Sequence, residues 1–254
     1  MNAIEELMRL DAAKWINRRI EDLPDSAKYR AYSAIRSLQW ASRNYEAEMP
    51  IPAAYFALHA TEEAVAAFVS SAKECGYGED AKINLRDHRA KATVSLLAQK
   101  TSNFLSDFAP SVAVHADSDR LVARFVVNGE IRYDEASVRL FHFTESSDGG
   151  RKEDFLEELV QAFGDIGELK EAVVTGQEAR NRIIYATGKS LPTGFVAPEA
   201  SLRRECQLTL GLIWAAIDMT RSDRGGMTFI AQALRTARLV IEDMSPKRPD
   251  PAGS

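Results

Sequence analysis

The chain has 254 residues, with 32 Lys and Arg against 37 Asp and Glu, a formal charge of -5, and 45% hydrophobic residues. That composition excludes a disordered, collagen-like or membrane-spanning chain, and names no activity. The acidic balance excludes a protein that coats nucleic acid through bulk charge, because counterion release needs clustered Lys and Arg, but it leaves room for a local basic groove.

Cys75 and Cys206 stand far apart, with no C-x-x-C pair, and read as reduced thiols of a cytoplasmic protein. The acids of the opening residues, Glu5 and Glu6, take the place of the basic start of an export signal. Leu208 to Met219 is too short an apolar run for the roughly 20 residues that cross a bilayer, so no membrane partner is expected.

In chain order, the apolar spacing of Ile4, Leu7, Met8, Leu10, Trp15 and Ile16 predicts a first amphipathic helix up to Ile20, broken by Pro24-Asp25-Ser26. Ser26 can cap a second helix to about Ala47, and Pro52 suits the first turn of a third, from Ala53 to about Glu74, closed by Gly76-Tyr77-Gly78. A fourth helix is predicted from about Asn84 to Phe108. The period then switches to that of strands. Arg120 to Val127 and Glu130 to Tyr133 flank Asn128-Gly129, a strong hairpin signal, and the alternation of Val138 to Phe143 predicts the last strand of a three-stranded meander. Helical spacing returns from Glu153 to about Ala186 with interruptions near Gly164 and Gly167, then in Pro198 to Thr220 and Met227 to Met244. Residues 246 to 254 read as a disordered tail.

Three places can carry chemistry. Glu62 and Glu63 lie within the least polar helix, where a carboxylate is rare unless paired, and His59 shares a helix face with either. Lys82, Arg86, Arg89 and Lys91, with Asp87 and His88 among them, form the best candidate for a phosphate-binding patch. At a predicted helix end, Arg180 and Arg182 flank Asn181, with Tyr185 beyond, and offer donors to a phosphate or carboxylate. Each has a plainer reading, respectively an ion pair between neighbouring helices, a solvated first turn docked on Glu62 or Glu63, and dipole-favoured arginines beside a buried ring. A carboxylate-bridged metal centre built from His59, Glu62, Glu63, Asp87 and His88 is a further alternative, although the order His-x-x-Glu reverses the usual bundle motif and occurs once.

The succession of Ala57-Leu58-His59-Ala60-Thr61-Glu62-Glu63-Ala64, Leu85-Arg86-Asp87-His88-Arg89-Ala90-Lys91 and Arg180-Asn181-Arg182-Ile183-Ile184-Tyr185 resembles the abortive-infection AbiV family, within the larger HEPN group of helical bundles. The resemblance spans about residues 30 to 190 and covers the β-rich insert poorly. It implies a mainly α fold: a single helical domain over residues 1–245, with a HEPN-like core at about 26–190, a small antiparallel β-meander insertion at about 112–145 and extra C-terminal helices at about 198–244. The implied function is bacterial antiviral defence through a metal-independent endoribonuclease that needs no cofactor. RNA is the implied substrate and a homodimer the implied state, since HEPN sites are assembled across two bundles. The implied catalytic residues are Arg180, Asn181, Tyr185 and His88, with Arg86, Lys91 and Arg182 binding substrate and Glu62, Glu63 and Asp87 in support. Two departures stand out. Ala66 and Ala67 occupy the place where a lysine usually follows the Glu-Glu pair, and Tyr185 stands where HEPN ribonucleases carry the histidine of Arg-x-x-x-x-His. With an ordinary pKa of about 10, tyrosine is a poor base. Either His88 supplies the proton transfer from another helix, or the chain binds RNA without cutting, or it is a non-catalytic helical module that sequesters a phage or host protein.

Overall fold

The computed structural model of the chain describes residues 2–106, 111–115, 117–145, 149–184, 199–222 and 226–245, excluding the side chains of 105, 106, 179, 180 and 182–184. Within these residues the fold is mainly α with one small antiparallel sheet. The predicted tail lies outside them.

The first predicted helix is two: α1, Ala3–Arg9, and α2, Asp11–Arg19, followed by a short 3-10 turn, Ile20–Asp22. The break falls at Leu10, whose extended backbone (ψ 143°) stops α1 and lets Asp11 open α2. Asn2 caps α1 by accepting from the amides of Ile4 and Glu5, and its Nδ2 donates to Ser42 Oγ at 2.9 Å.

α3, Asp25–Glu46, and α4, Pro50–Glu74, form a hairpin turned at Glu48, with Pro50 and Pro52 both tolerated in the first turn of α4. Pro24, not Ser26, precedes α3, without a side-chain cap. Ala27, Ala31, Ala34 and Ala41 of α3 and Ala53, Ala57, Ala60 and Ala64 of α4 are buried, and their small side chains let the two backbones approach. From Ala64 to Ala72 every residue of α4 is buried, as expected of a helix covered on all sides. Its neighbours are α3, α5, His88–Ser106; α7, Ile166–Ile184; and α8, Glu199–Arg221. α6, Leu156–Phe163, precedes α7, and α9, Thr228–Met244, packs on α5.

The predicted hairpin is β2, Arg120–Val127, and β3, Glu130–Glu135, joined at Asn128 (φ 53°) and Gly129 (φ 82°) as a two-residue turn of positive φ requires. The third strand is not where alternation placed it. β1, Ser111–His115, precedes the hairpin and pairs with β2, giving the order β1-β2-β3. Val138–Leu140 is instead a 3-10 turn, because Asp218 of α8 accepts from the Val138 amide (2.7 Å) and Ser137 Oγ (3.0 Å) and bends the chain away from the sheet.

Leu121 and Ala123 turn the inner face of the sheet toward the helices. Trp15 Nε1 donates to the carbonyl of Asp119 at 3.0 Å, and Arg19 pairs with the Asp119 carboxylate, tying α2 to the β1–β2 turn. On the far side the fully buried Gln232 of α9 accepts from Phe143 N and donates to Phe143 O and Lys152 O, while Thr236 Oγ1 accepts from Phe155 N. The insertion is therefore gripped at both ends. Both cysteines are free and buried, and burial pushes the Cys206 thiol up to about 12. Among the described residues no helix is long and apolar enough to cross a membrane.

Candidate functional site

The fourth helix begins later than its periodicity suggests. Asn84 Oδ1 accepts from the Arg86 amide and Asp87 Oδ1 from the Arg89 amide (2.8 Å), so both side chains serve local backbone and hold residues 84–87 out of the helix. Asp87 thus caps α5 rather than facing Lys91 across a turn, and His88 becomes the first helical residue. Arg86 is confined to the exposed turn and does not line the site assigned to it.

His88 Nδ1 lies 3.2 Å from Glu62 Oε1, and Lys91 Nζ lies 4.0 Å from Glu62 Oε2. The Lys91 side chain is 9% exposed and that of Glu62 13%, so their charges face each other largely out of water, while His88, at 42%, reaches solvent. One carboxylate of α4 therefore engages both functional side chains on the first turn of α5. Glu63 is half-buried and makes no hydrogen bond or ion pair among the described residues. His59 stacks on Tyr55, ring centroids 6.0 Å apart. Among the described residues no three His, Cys, Asp or Glu side chains are grouped as a metal site would need.

Glu62, His88 and Lys91 open on a pocket of about 200 Å³ between α4, α5, α7 and α8. Three lining residues, Thr61, Arg204 and Glu205, were not legible as site residues. Thr61 Oγ1 donates to Glu205 Oε2 at 2.8 Å, and the Arg204 guanidinium reaches Glu205 Oε1 at 3.2 Å. Burial pushes the Glu205 carboxyl above its ordinary 4.5, against the opposing pull of Thr61 and Arg204. The missed signal was periodicity: Leu202, Cys206, Thr209 and Ile213 mark the buried stripe of α8, and Glu205 falls on it. Across the pocket mouth Arg89 Nε donates to Gln177 Oε1 at 3.2 Å and latches α5 to α7.

α7 lines the pocket with Val173, Gly176 and Gln177. Arg180 continues that i, i+3, i+4, i+7 row by one more turn of helix, with Asn181 beside it. The side chains of Arg180 and Arg182, and Tyr185 entirely, lie outside the described residues. The site is thus a histidine held by a carboxylate, a buried lysine and a second, more deeply buried carboxyl, set in a concavity whose α7 wall leads toward Arg180.

The chain is a mainly α protein with a small inserted sheet and a pocket between helices into which Glu62, His88, Lys91 and Glu205 open. No protein-family model matches it, and no curated protein or solved structure is significantly similar to it.

Proposed function

We propose that the chain is an HEPN-type protein of bacterial antiviral defence that acts on RNA, with the pocket between α4, α5, α7 and α8 as its metal-independent ribonuclease site. The observation that carries this reading is the convergence of Glu62 of α4 with His88 and Lys91 of α5 on one pocket shared with the face of α7 that continues to Arg180. In the proposed reaction the bond from Glu62 to Nδ1 orients the imidazole of His88, leaving Nε2 to take the proton of the RNA 2′-hydroxyl. The 2′-oxygen attacks the adjacent phosphorus, the bond from phosphorus to the 5′-oxygen breaks, the 5′-oxygen takes a proton from water, and a 2′,3′-cyclic phosphate remains, while His88 returns the proton it took to solvent. Lys91 and Arg180 offset the charge that builds on the phosphoryl oxygens. The same reading makes the protein a cytoplasmic homodimer, in which a second copy of α7 completes the cleft.

The test is RNA cleavage in the presence of chelator by the parent protein and by His88→Ala and Arg180→Ala. Losses of roughly 100-fold or more at unchanged folding support the reading. Absence of cleavage by the parent on every class of RNA, or full activity in both variants, overturns it.

A second reading draws on the closed pairing of Glu62 with His88 and Lys91, which satisfies these groups without any ligand. In that reading the cluster is structural, and the chain is a helical interaction module for a phage or host protein. His88→Ala would then lower stability alone.

A further inference from the structure

The inserted sheet ends in an edge open to water. Every residue of β3 is exposed, and among the described residues the strand pairs only with β2. Edges of this kind are commonly blunted by proline, lysine or a bulge. Glu130-Ile131-Arg132-Tyr133-Asp134-Glu135 contains none of these, and its register against β2 is unbroken. Two large side chains stand in water there, Ile131 at 53% exposed and Tyr133 at 70%.

The hairpin turn fixes which backbone groups face outward. Val127 and Glu130 flank the two-residue turn and so exchange hydrogen bonds, and the alternation of an antiparallel ladder then directs the backbone groups of Arg132 and Asp134 toward β2 as well. The Ala136 amide, which donates to the carbonyl of Leu121 at 2.8 Å, continues the same parity. The amides and carbonyls of Ile131, Tyr133 and Glu135 therefore point away from β2. The side chains divide likewise. Ile131 and Tyr133, opposite Val126 and Arg124, lie on the face turned from the helices, whereas Arg132 and Asp134 share the face of Leu121 and Ala123. Arg132 reaches Glu130 of its own strand at 3.5 Å, and Asp134 Oδ1 accepts from the outward amide of Glu135 at 2.7 Å, a bond that an added strand has to displace.

We infer that a second copy of the chain adds to this edge, β3 against β3 and antiparallel, with Tyr133 on the two-fold axis. An axis at Arg132 sets that arginine opposite itself and Glu130 opposite Asp134, and an axis at Asp134 sets that aspartate opposite itself; like charges directly across a strand pair repel. Axes at Ile131 or Glu135 overlap only the ends of the strands. The axis at Tyr133 overlaps residues 131–135 and, by symmetry, places each Arg132 opposite Asp134 of the other copy. It lays Tyr133 against Tyr133 and Ile131 against the stem of Glu135, and makes roughly six backbone hydrogen bonds. Asp134 then exchanges the Glu135 amide for Arg132 of the second copy, and that amide passes to the carbonyl of Ile131 of the second copy. The charges that turn away an unrelated strand are thus complementary in this one arrangement. The contact uses neither α7 nor the pocket, and it stands apart from the ribonuclease reading.

The test is sedimentation equilibrium of the full chain at up to about 1 mM, since one strand a side is less than a standard interface. The parent should self-associate reversibly. Arg132→Asp and Asp134→Arg should each weaken association about tenfold or more at unchanged circular dichroism, and an equimolar mixture of the two should recover it, because all four charges then meet opposites. A nitroxide on Glu130→Cys, selective because Cys75 and Cys206 are buried, reads the register: the labelled backbone positions of the two copies should lie roughly 20 Å apart, at about 3.4 Å per residue on either side of the axis. A parent that is monomeric throughout, association unchanged by both reversals, as a contact through α7 alone would give, or a mixture no tighter than its components overturns the proposal.

Discussion

Removing the charge of Glu62 should cost more stability than removing that of Lys91, and the two effects should not add. At 4.0 Å and an effective dielectric near 20, the attraction between the two groups is roughly 4 kcal/mol, offset in large part by the desolvation both have undergone. Glu62→Gln keeps the shape and an acceptor for His88 but leaves the ammonium of Lys91, 9% exposed, without its counter-charge. The expected loss is about 2–3 kcal/mol. Lys91→Met removes the buried charge and keeps the length of the stem, so its cost should be about 1 kcal/mol or less, because Glu62 retains His88 and some access to water. The double variant should then resemble Lys91→Met alone, with a coupling of about 2 kcal/mol. Urea unfolding of the four proteins, followed by far-UV circular dichroism at neutral pH, measures the cycle. Additivity within about 0.5 kcal/mol, or a Lys91→Met variant less stable than Glu62→Gln, would refute the reasoning.

Glu205 gives a pH-dependent expectation. Its carboxyl sits above the ordinary 4.5 in the folded chain, so below that value both states hold the proton and the residue is neutral in effect. As pH rises the unfolded chain ionises first, and the folded state is penalised. Glu205→Gln should therefore be more stable than the parent at pH 7, with the difference closing near pH 4; a variant less stable at pH 7 contradicts this. Gln232→Leu removes the partner of one amide and two carbonyls, and should lower stability by about 3 kcal/mol or more in chemical denaturation. A loss below about 1 kcal/mol would mean that water replaces these bonds. Cys75 and Cys206 are buried, and a thiol-disulfide reagent should titrate neither until denaturant is added. Rapid reaction under native conditions would argue against the packing of α4 on α8.

Helix identity was legible wherever one apolar stripe persisted over several turns, as in α3, α4, α8 and α9. Boundaries were lost where side chains compete locally for backbone groups. Asn84 and Asp87 look helical by spacing, yet their carboxyl and amide oxygens take the amides two residues on. The strand predicted at Val138 to Phe143 fails for a tertiary reason, since the carboxylate that bends it lies some 80 residues away on α8. β1 is short and becomes a strand through its pairing with β2. In the candidate site, Glu62, His88 and Lys91 stood out as charges against an apolar helix or within a basic cluster. Thr61 and Glu205 did not, because a threonine among alanines and an acid beside two arginines look ordinary until α4 and α8 are packed together.

The pocket has walls from four helices, and its last wall, α8, is contributed by residues that emerge long after α4 and α5. A ribosome-bound chain that has exposed only residues up to α7 holds His88 and Glu62 but no Glu205 and no floor beneath Thr61. A chain that stops short of α8 therefore lacks one wall of the cleft and the hydrogen-bond partner of Thr61.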